Sequence, residues 1–84
     1  MTIVPFGGLR PVAGTHPIVD FLLELAGKPR AKVCFVPTAR GDSPETLLAM
    51  YGRFPAARTE RTHLELFHRT ITDIRTLLLE QDII

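Results

Sequence analysis

The chain is organised around residues 32–45, whose sequence is KVCFVPTARGDSPE. The apolar run VCFV within it is typical of a strand buried on both faces, as in the middle of a parallel sheet. Pro37 ends such a strand because it has no N–H to donate, and Ser43 followed by Pro44 is a typical helix start. The stretch therefore predicts a buried strand, a short polar loop and a helix, the junction at which open α/β sheets build their sites.

Strand and helix signals alternate along the rest of the chain. In order, the sequence predicts a strand at residues 2–6, a helix at 17–26, the strand at 33–36, a helix at 44–54, a strand at 63–67, a helix from Thr72 or Asp73, and a strand at 82–84. A polar loop at 56–62 precedes the strand at 63–67, in which Leu64 and Leu66 alternate with polar residues. The order β-α-β-α-β-α-β predicts a mostly parallel sheet with helices on its faces.

The first predicted helix has an apolar stripe with helical spacing at i, i+3, i+4 and i+7. Its members are Ile18, Phe21, Leu22 and Leu25. Val19, Leu23 and Ala26 widen this stripe, which predicts a helix that is covered on more than one side. Thr15 or His16 is expected to cap its start, and Gly27 its end.

Composition and charge argue against several classes of partner and cofactor. The 84 residues carry 10 Lys or Arg and 9 Asp or Glu, and a net charge of +1 gives no electrostatic reason to expect nucleic acid or a membrane surface. No apolar run has the length of a membrane span, the start MTIVPFGG lacks signal-peptide features, and Cys34 is the single cysteine, so we expect a cytoplasmic location. The segment GGLRPVAG is not the dinucleotide motif G-x-G-x-x-G, and we expect no cofactor.

The candidate binding residues lie in the loops after the first two predicted strands. They are Gly7, Gly8, Thr38, Gly41 and Asp42. Paired glycines after a strand let the backbone approach a ligand closely, although a plain turn accounts for them as well. Asp42 either contacts substrate or favours the positive end of the helix dipole from its place at the helix start.

The sequence predicts neither a catalytic residue nor a metal site in this chain. Ser43 is explained by helix capping and lacks the G-x-S-x-G elbow of a hydrolase nucleophile. Cys34 lies in the middle of an apolar strand, where packing explains it. The three histidines have no zinc-motif spacing and no accompanying cysteine cluster; they are His16, His63 and His68.

Three segments resemble the amino-terminal part of the peptidase E family. They are GKPR at 27–30, FVPTA followed by GDS within 35–43, and LLLEQDII at 77–84, and the likeness runs from about residue 17 to residue 84. Members of this family are aspartyl-dipeptidase-like serine peptidases, similar to cyanophycinases and to class I glutamine-amidotransferase-like domains. The resemblance implies a partial, truncated, doubly wound three-layer sandwich. Residues 1–84 would form the amino-terminal portion of a single, incomplete α/β hydrolase-type domain.

The resemblance also implies an activity, the hydrolysis of short aspartyl peptides by a serine nucleophile. In that family the last strand continues into a G-G-G-N loop, and the nucleophile elbow and catalytic histidine come later, so no catalytic residue transfers to this sequence and the chain is expected to be inactive alone. The alternative is a non-catalytic α/β module that binds a small ligand or a protein at its strand ends. The expected partners are a short peptide substrate for the full-length family and a second copy through an exposed sheet edge.

Overall fold

The computed structural model, which describes residues 1–5, 7 and 16–84, is a small α/β fold built on a parallel sheet. Its elements are α1 (Pro17–Ala26), β1 (Ala31–Phe35), a 3-10 turn (Thr38–Arg40), α2 (Pro44–Arg53), β2 (Thr59–His63) and α3 (Ile74–Leu79). β1 and β2 pair in parallel, with Ala31 opposite Thr59 and Phe35 opposite His63. The predicted fold class is therefore confirmed.

Short segments from both ends of the chain extend this sheet. Ile83 forms parallel bridges to Val33 on one side and to Thr2 on the other. The Cys34 N–H donates to the Ile83 carbonyl oxygen at 2.9 Å, and the Val4 N–H donates to the Ile84 carbonyl oxygen at 2.7 Å. The order across the sheet is therefore residues 2–4, residues 82–84, β1 and β2. The strands predicted at 2–6 and 82–84 are thus sheet-paired, although residue 6 lies outside the described residues.

This order places helices on both faces of the sheet. Each helix connects two parallel strands of the sheet. The connections through α1 and α2 both lead toward β2, whereas the connection through α3 leads back from β2 to residues 82–84. Because such connections are right-handed, α3 lies on the face opposite to α1 and α2. The packing agrees with this arrangement. Residues 31, 33 and 35 of β1 belong to the core formed with α1 and α2, whereas Lys32, Glu60 and Thr62 line a pocket with α3.

The core between the sheet and the first two helices shows which side of α1 is buried. Its members from the two helices are Val19, Leu22, Leu23, Leu47 and Met50, and Phe54, directly after α2, joins them. Three members of the predicted α1 stripe are instead exposed: Ile18 by 38%, Phe21 by 57% and Leu25 by 57%. The predicted stripe is wrong at these positions, because α1 is apolar nearly all round and periodicity alone does not say which side meets the sheet.

All three helices begin where capping chemistry places them. The His16 Nδ1 accepts the Ile18 N–H at 3.2 Å, and Thr15 lies outside the described residues. The Ser43 Oγ accepts the Thr46 N–H at 3.4 Å, and Asp73 caps α3 through the Thr76 N–H at 3.1 Å. The predicted caps at His16, Ser43 and Asp73 are confirmed, as is Gly27, which ends α1 with φ 65°.

The strand predicted at 63–67 is wrong in its position. β2 is Thr59–His63, so most of the predicted 56–62 loop is strand, while Leu66 and Phe67 are exposed. The residues of β2 that face the core are polar, so this strand lacks the alternation of apolar and polar residues by which a half-buried strand is predicted. Thr59 is buried and its hydroxyl donates to the Pro55 carbonyl oxygen at 2.7 Å. Arg61 folds onto α2 and donates to the carbonyl oxygens of Tyr51 at 2.6 Å and of Phe54 at 3.2 Å.

Candidate functional site

The loops that follow β1 and β2 meet at the carboxyl edge of the sheet, where Asp42 joins them. The Asp42 side chain is buried, with 4% of the residue exposed, and its Oδ2 accepts the backbone N–H of Phe67 at 2.7 Å. Its own N–H donates to the Pro37 carbonyl oxygen at 3.2 Å. The carboxylate therefore connects the loop after β1 to the loop after β2. The sequence did not indicate this hydrogen bond to Phe67.

Two buried oxygen atoms in the first of these loops lack a partner within the described part of the chain. They are Thr38 Oγ1 and Asp42 Oδ1. A buried polar atom left without a hydrogen bond costs about 1–3 kcal/mol. Such atoms call for a donor, which a bound molecule, a water or another part of the protein would supply.

The backbone of this loop turns sharply through two left-handed residues. Gly41 has φ 63° and Asp42 has φ 56°, and the Gly41 N–H donates to the Thr38 carbonyl oxygen at 3.0 Å. The left-handed region costs a residue with a Cβ about 1–2 kcal/mol, and such strain gathers at functional sites. Here the turn directs the Asp42 side chain inward, toward Phe67.

The structure brings together three of the five predicted binding residues. Thr38, Gly41 and Asp42 share the loop of residues 37–42. Gly7 is exposed, and a Cβ added there would meet no atom within 4 Å, so the described structure shows no close backbone approach that requires glycine at that position. Gly8 lies outside the described residues.

A cluster of rings at the end of β2 was missed by the sequence patterns. The Tyr51 hydroxyl lies 2.8 Å from His63 Nδ1, and the edge of one ring meets the face of another between Phe35 and Tyr51, with centroids 5.1 Å apart. The Arg61 guanidinium carbon lies 5.3 Å from the Tyr51 ring centroid. Helical spacing indicates only that Tyr51 belongs to the apolar side of its helix, although a tyrosine hydroxyl that is removed from water generally needs a polar partner.

This cluster fixes the orientation of an imidazole at the carboxyl edge. Burial raises the pKa of Tyr51, while the positive charge of Arg61 opposes that rise and the neighbouring Cys34 adds to it. The tyrosine is therefore neutral near pH 7, and it donates to His63 Nδ1 when that nitrogen carries no proton. The other nitrogen, Nε2, lies 3.8 Å from Glu65 Oε1, so a protonated His63 would have a carboxylate beside it.

The serine and the cysteine of this chain, the residue types most often used as nucleophiles, both have structural roles. The Ser43 Oγ caps α2. Burial raises the pKa of Cys34 to about 11, which leaves almost no thiolate near neutral pH. No group of three or more His, Cys, Asp or Glu side chains that could hold a metal occurs among residues 1–5, 7 and 16–84. No helix in the described part of the chain is long and apolar enough to cross a membrane.

Comparisons with known proteins give the chain a family. The model of the family described as Peptidase family S51 matches residues 3–84. A stretch of 65 residues is 30% identical to a protein of Bacillus subtilis (strain 168) described as the uncharacterized peptidase YgaJ, and it covers 77% of this chain but 28% of that protein. No solved structure shows a significant match. The matches confirm the relationship to the peptidase E family that the sequence motifs indicate.

Proposed function

We propose a function from the premise that the chain belongs to peptidase family S51, which the match over residues 3–84 shows. The proposed activity is the hydrolysis of short aspartyl peptides by a serine peptidase of the cytoplasm. In this proposal residues 1–84 supply the amino-terminal part of a class I glutamine-amidotransferase-like catalytic domain, and the chain alone is inactive. The winding of the sheet in both directions supports that architecture.

The observation that carries the proposal is the loop of residues 37–42 at the carboxyl edge of a parallel sheet. Sites in open α/β sheets form at this edge, and here the loop holds two buried oxygen atoms, Thr38 Oγ1 and Asp42 Oδ1, without a described partner. Ser43 and Cys34 are committed to capping and packing. The chain therefore contributes to the wall of a substrate cleft, and the nucleophile comes from elsewhere in the peptidase.

One test measures the chain by itself. The purified chain is incubated with aspartyl dipeptides and with a fluorophosphonate probe that labels activated serines, next to the matched variant Ser43→Ala. We expect neither turnover nor labelling in either protein. Hydrolysis that disappears in Ser43→Ala would assign the nucleophile to this chain and overturn the proposed inactivity.

A second test asks whether the chain can serve a peptidase. It replaces the matching segment of the Bacillus subtilis relative, after that relative has been assayed on the same aspartyl dipeptides. We expect the folded chimera to keep the parent's activity and to lose most of it in Asp42→Ala, while Glu24→Gln on the exposed side of α1 serves as control. A folded but inactive chimera of an active parent would favour the alternative, a non-catalytic module that binds a small ligand or a protein.

A further inference from the structure

One face of α1 is apolar but lies outside the core. This exposed α1 face consists of Ile18, Phe21 and Leu25, whose exposed fractions lie between 38% and 57%. Their spacing of three and four residues makes them neighbours on the helix surface. A large apolar side chain covers about 150–250 Å², so the exposed parts of the three together offer on the order of 300 Å². Scattered apolar residues need no explanation, but a contiguous patch of this size often marks an interaction site.

The exposed α1 face points toward the side of the fold where residues 2–4 form the edge of the sheet. A helix has about 3.6 residues per turn, so Asp20 and this face lie on opposite flanks of the buried side of α1. The Asp20 flank points toward β2, because its carboxylate accepts Arg58 Nη1 at 3.2 Å, directly before that strand. The opposite flank therefore points toward residues 2–4, where Val4 packs against the same core.

The outer edge of residues 2–4 is unpaired in the described part of the chain. The N–H groups of Thr2 and Val4 donate to the 82–84 segment, at 2.8 Å and 2.7 Å. Backbone groups alternate in direction along a strand, so the N–H and carbonyl oxygen of Ile3 point away from that segment. Within the described residues these two groups form no hydrogen bond. A strand added at this edge would satisfy them, and a helix connected to that strand would pack on the exposed α1 face.

The size and shape of this surface favour the rest of a peptidase domain over a second copy of the chain. A stable dimer buries about 800 Å² on each partner, and two exposed α1 faces in contact would supply less than half of that. A strand with its connected helix is the repeating unit of α/β sheets, and it covers the sheet edge and the helix face together. The matching stretch is 28% of the Bacillus subtilis relative, so most of that protein has no counterpart in this chain.

We propose that the edge of residues 2–4 and the exposed α1 face receive a strand and a helix from the remaining part of the S51 peptidase domain. The added strand runs parallel to its neighbours, so its carboxyl end lies at the same edge of the sheet as the loop of residues 37–42. On the other side of the fold, α2 exposes only Leu48 among its large apolar side chains. The inference rests on the proposed function in one respect, that this chain is part of a larger catalytic domain, and it names the surface that joins the two parts.

The first test measures whether the exposed α1 face becomes covered in the chimera with the Bacillus subtilis relative. Leu25→Cys and Leu48→Cys are each treated with iodoacetamide, in the isolated chain at low concentration and in the chimera, and mass spectrometry of peptides locates the label. We expect Leu25→Cys to react at least about tenfold more slowly in the chimera, because a covered thiol reacts only when the structure opens. Leu48→Cys is the matched control, an exposed helical leucine on the other side of the fold, and should react equally in both proteins.

Hydrogen exchange tests the sheet edge in the same two proteins and needs no substitution. The Ile3 amide should exchange at least about tenfold more slowly in the chimera, where the added strand accepts its hydrogen bond. Neither measurement involves hydrolysis. A protected but inactive chimera would therefore refute the proposed activity and leave this inference standing, whereas an active chimera with unprotected positions would do the reverse.

Several results would overturn the proposal. Equal labelling of Leu25→Cys in the two proteins would show that the exposed α1 face stays uncovered, and an equal slowing of Leu48→Cys would show that coverage is not specific to α1. Protection of Leu25→Cys in the isolated chain that grows with its concentration would assign the face to a second copy. A chimera that stays unfolded while its parent folds would contradict the proposal as well, because this surface would then not receive the rest of the domain.

Discussion

Asp82 holds the 82–84 segment in the sheet, and its removal should destabilise the whole fold. One carboxylate oxygen accepts the Lys28 ammonium at 2.6 Å, and the other accepts the backbone N–H of Lys32 at 2.8 Å. The Asp82 side chain is 15% exposed and that of Lys28 is 57% exposed. Ile83, the next residue, bridges β1 and the first segment of the sheet.

The size of the effect follows from these two partners. A hydrogen bond to a charged group contributes about 1.5–3 kcal/mol, while an ion pair with an exposed lysine contributes about 0.2–1 kcal/mol. Asp82→Ala loses both and should lower the free energy of unfolding by about 2–3 kcal/mol. Asp82→Asn keeps an acceptor for the Lys32 N–H and should cost about 1 kcal/mol, and Lys28→Met about 0.5 kcal/mol.

The same contacts make this contribution depend on pH. The hydrogen bond from Lys28, followed by the one from the Lys32 N–H, lowers the pKa of Asp82 below its ordinary value of 3.8. A lowered pKa in the folded state means that the stabilisation is complete above the unfolded value and is lost as the pH falls through the folded-state value. The difference in stability between the wild type and Asp82→Asn should therefore shrink below about pH 4.

The measurement is urea unfolding followed by circular dichroism, for the wild type and the three variants, from neutral pH down to about pH 2. A ranking of Asp82→Ala, then Asp82→Asn, then Lys28→Met is expected near pH 7. An unfolding midpoint for Asp82→Ala equal to that of the wild type, at an unchanged slope, would refute the reasoning, because it would show that the segment is held without this carboxylate.

Three further outcomes are expected. Ser43→Ala should lower the free energy of unfolding by about 1 kcal/mol through loss of the α2 cap, and a denaturation midpoint that does not move would show that another group caps this helix. Cys34 should resist a thiol reagent at neutral pH until the chain unfolds, because burial raises its pKa from 9.0 to about 11. The free energy of unfolding should also fall as the pH rises through that interval, since the unfolded chain loses the thiol proton first. Rapid labelling of the folded chain would show that the pKa is not raised and would contradict both expectations. The outer edge of β2 is unpaired in the described sheet, so we expect the chain to self-associate, which sedimentation velocity at several concentrations would show as a rising average mass; a monomer at all of them would contradict this.

The fold class could be predicted because local signals agree with one another at the decisive places. The run at 33–36 followed by Pro37, the cap at Ser43 and the stop at Gly27 each have a short-range physical cause. The position of β2 could not be predicted in this way. Its inward residues, Thr59 and Arg61, are polar, and their burial depends on carbonyl oxygens of α2 and the loop after it, which only the folded chain brings near.

The candidate site was predictable in its place and only partly in its chemistry. Thr38, Gly41 and Asp42 could be identified because they lie in the loop that follows a buried strand, which is where open α/β sheets form their sites. The Asp42 contact with Phe67 joins residues that are far apart in sequence, and the pairing of Tyr51 with His63 crosses from a helix to a strand. No rule of sequence spacing relates such positions, so these side-chain contacts could not be predicted from the sequence.

The place of residues 82–84 between the first segment and β1 has a consequence for how the chain forms during synthesis. Residues 2–4 are synthesised before the other strands of the described sheet but have no neighbour in it until residues 82–84 follow. β1 and β2 can pair earlier, because only α2 and its loops separate them. Pairing across such a long sequence distance slows folding, so the nascent chain carries the apolar residues of this first segment unpaired until residues 82–84 have been synthesised.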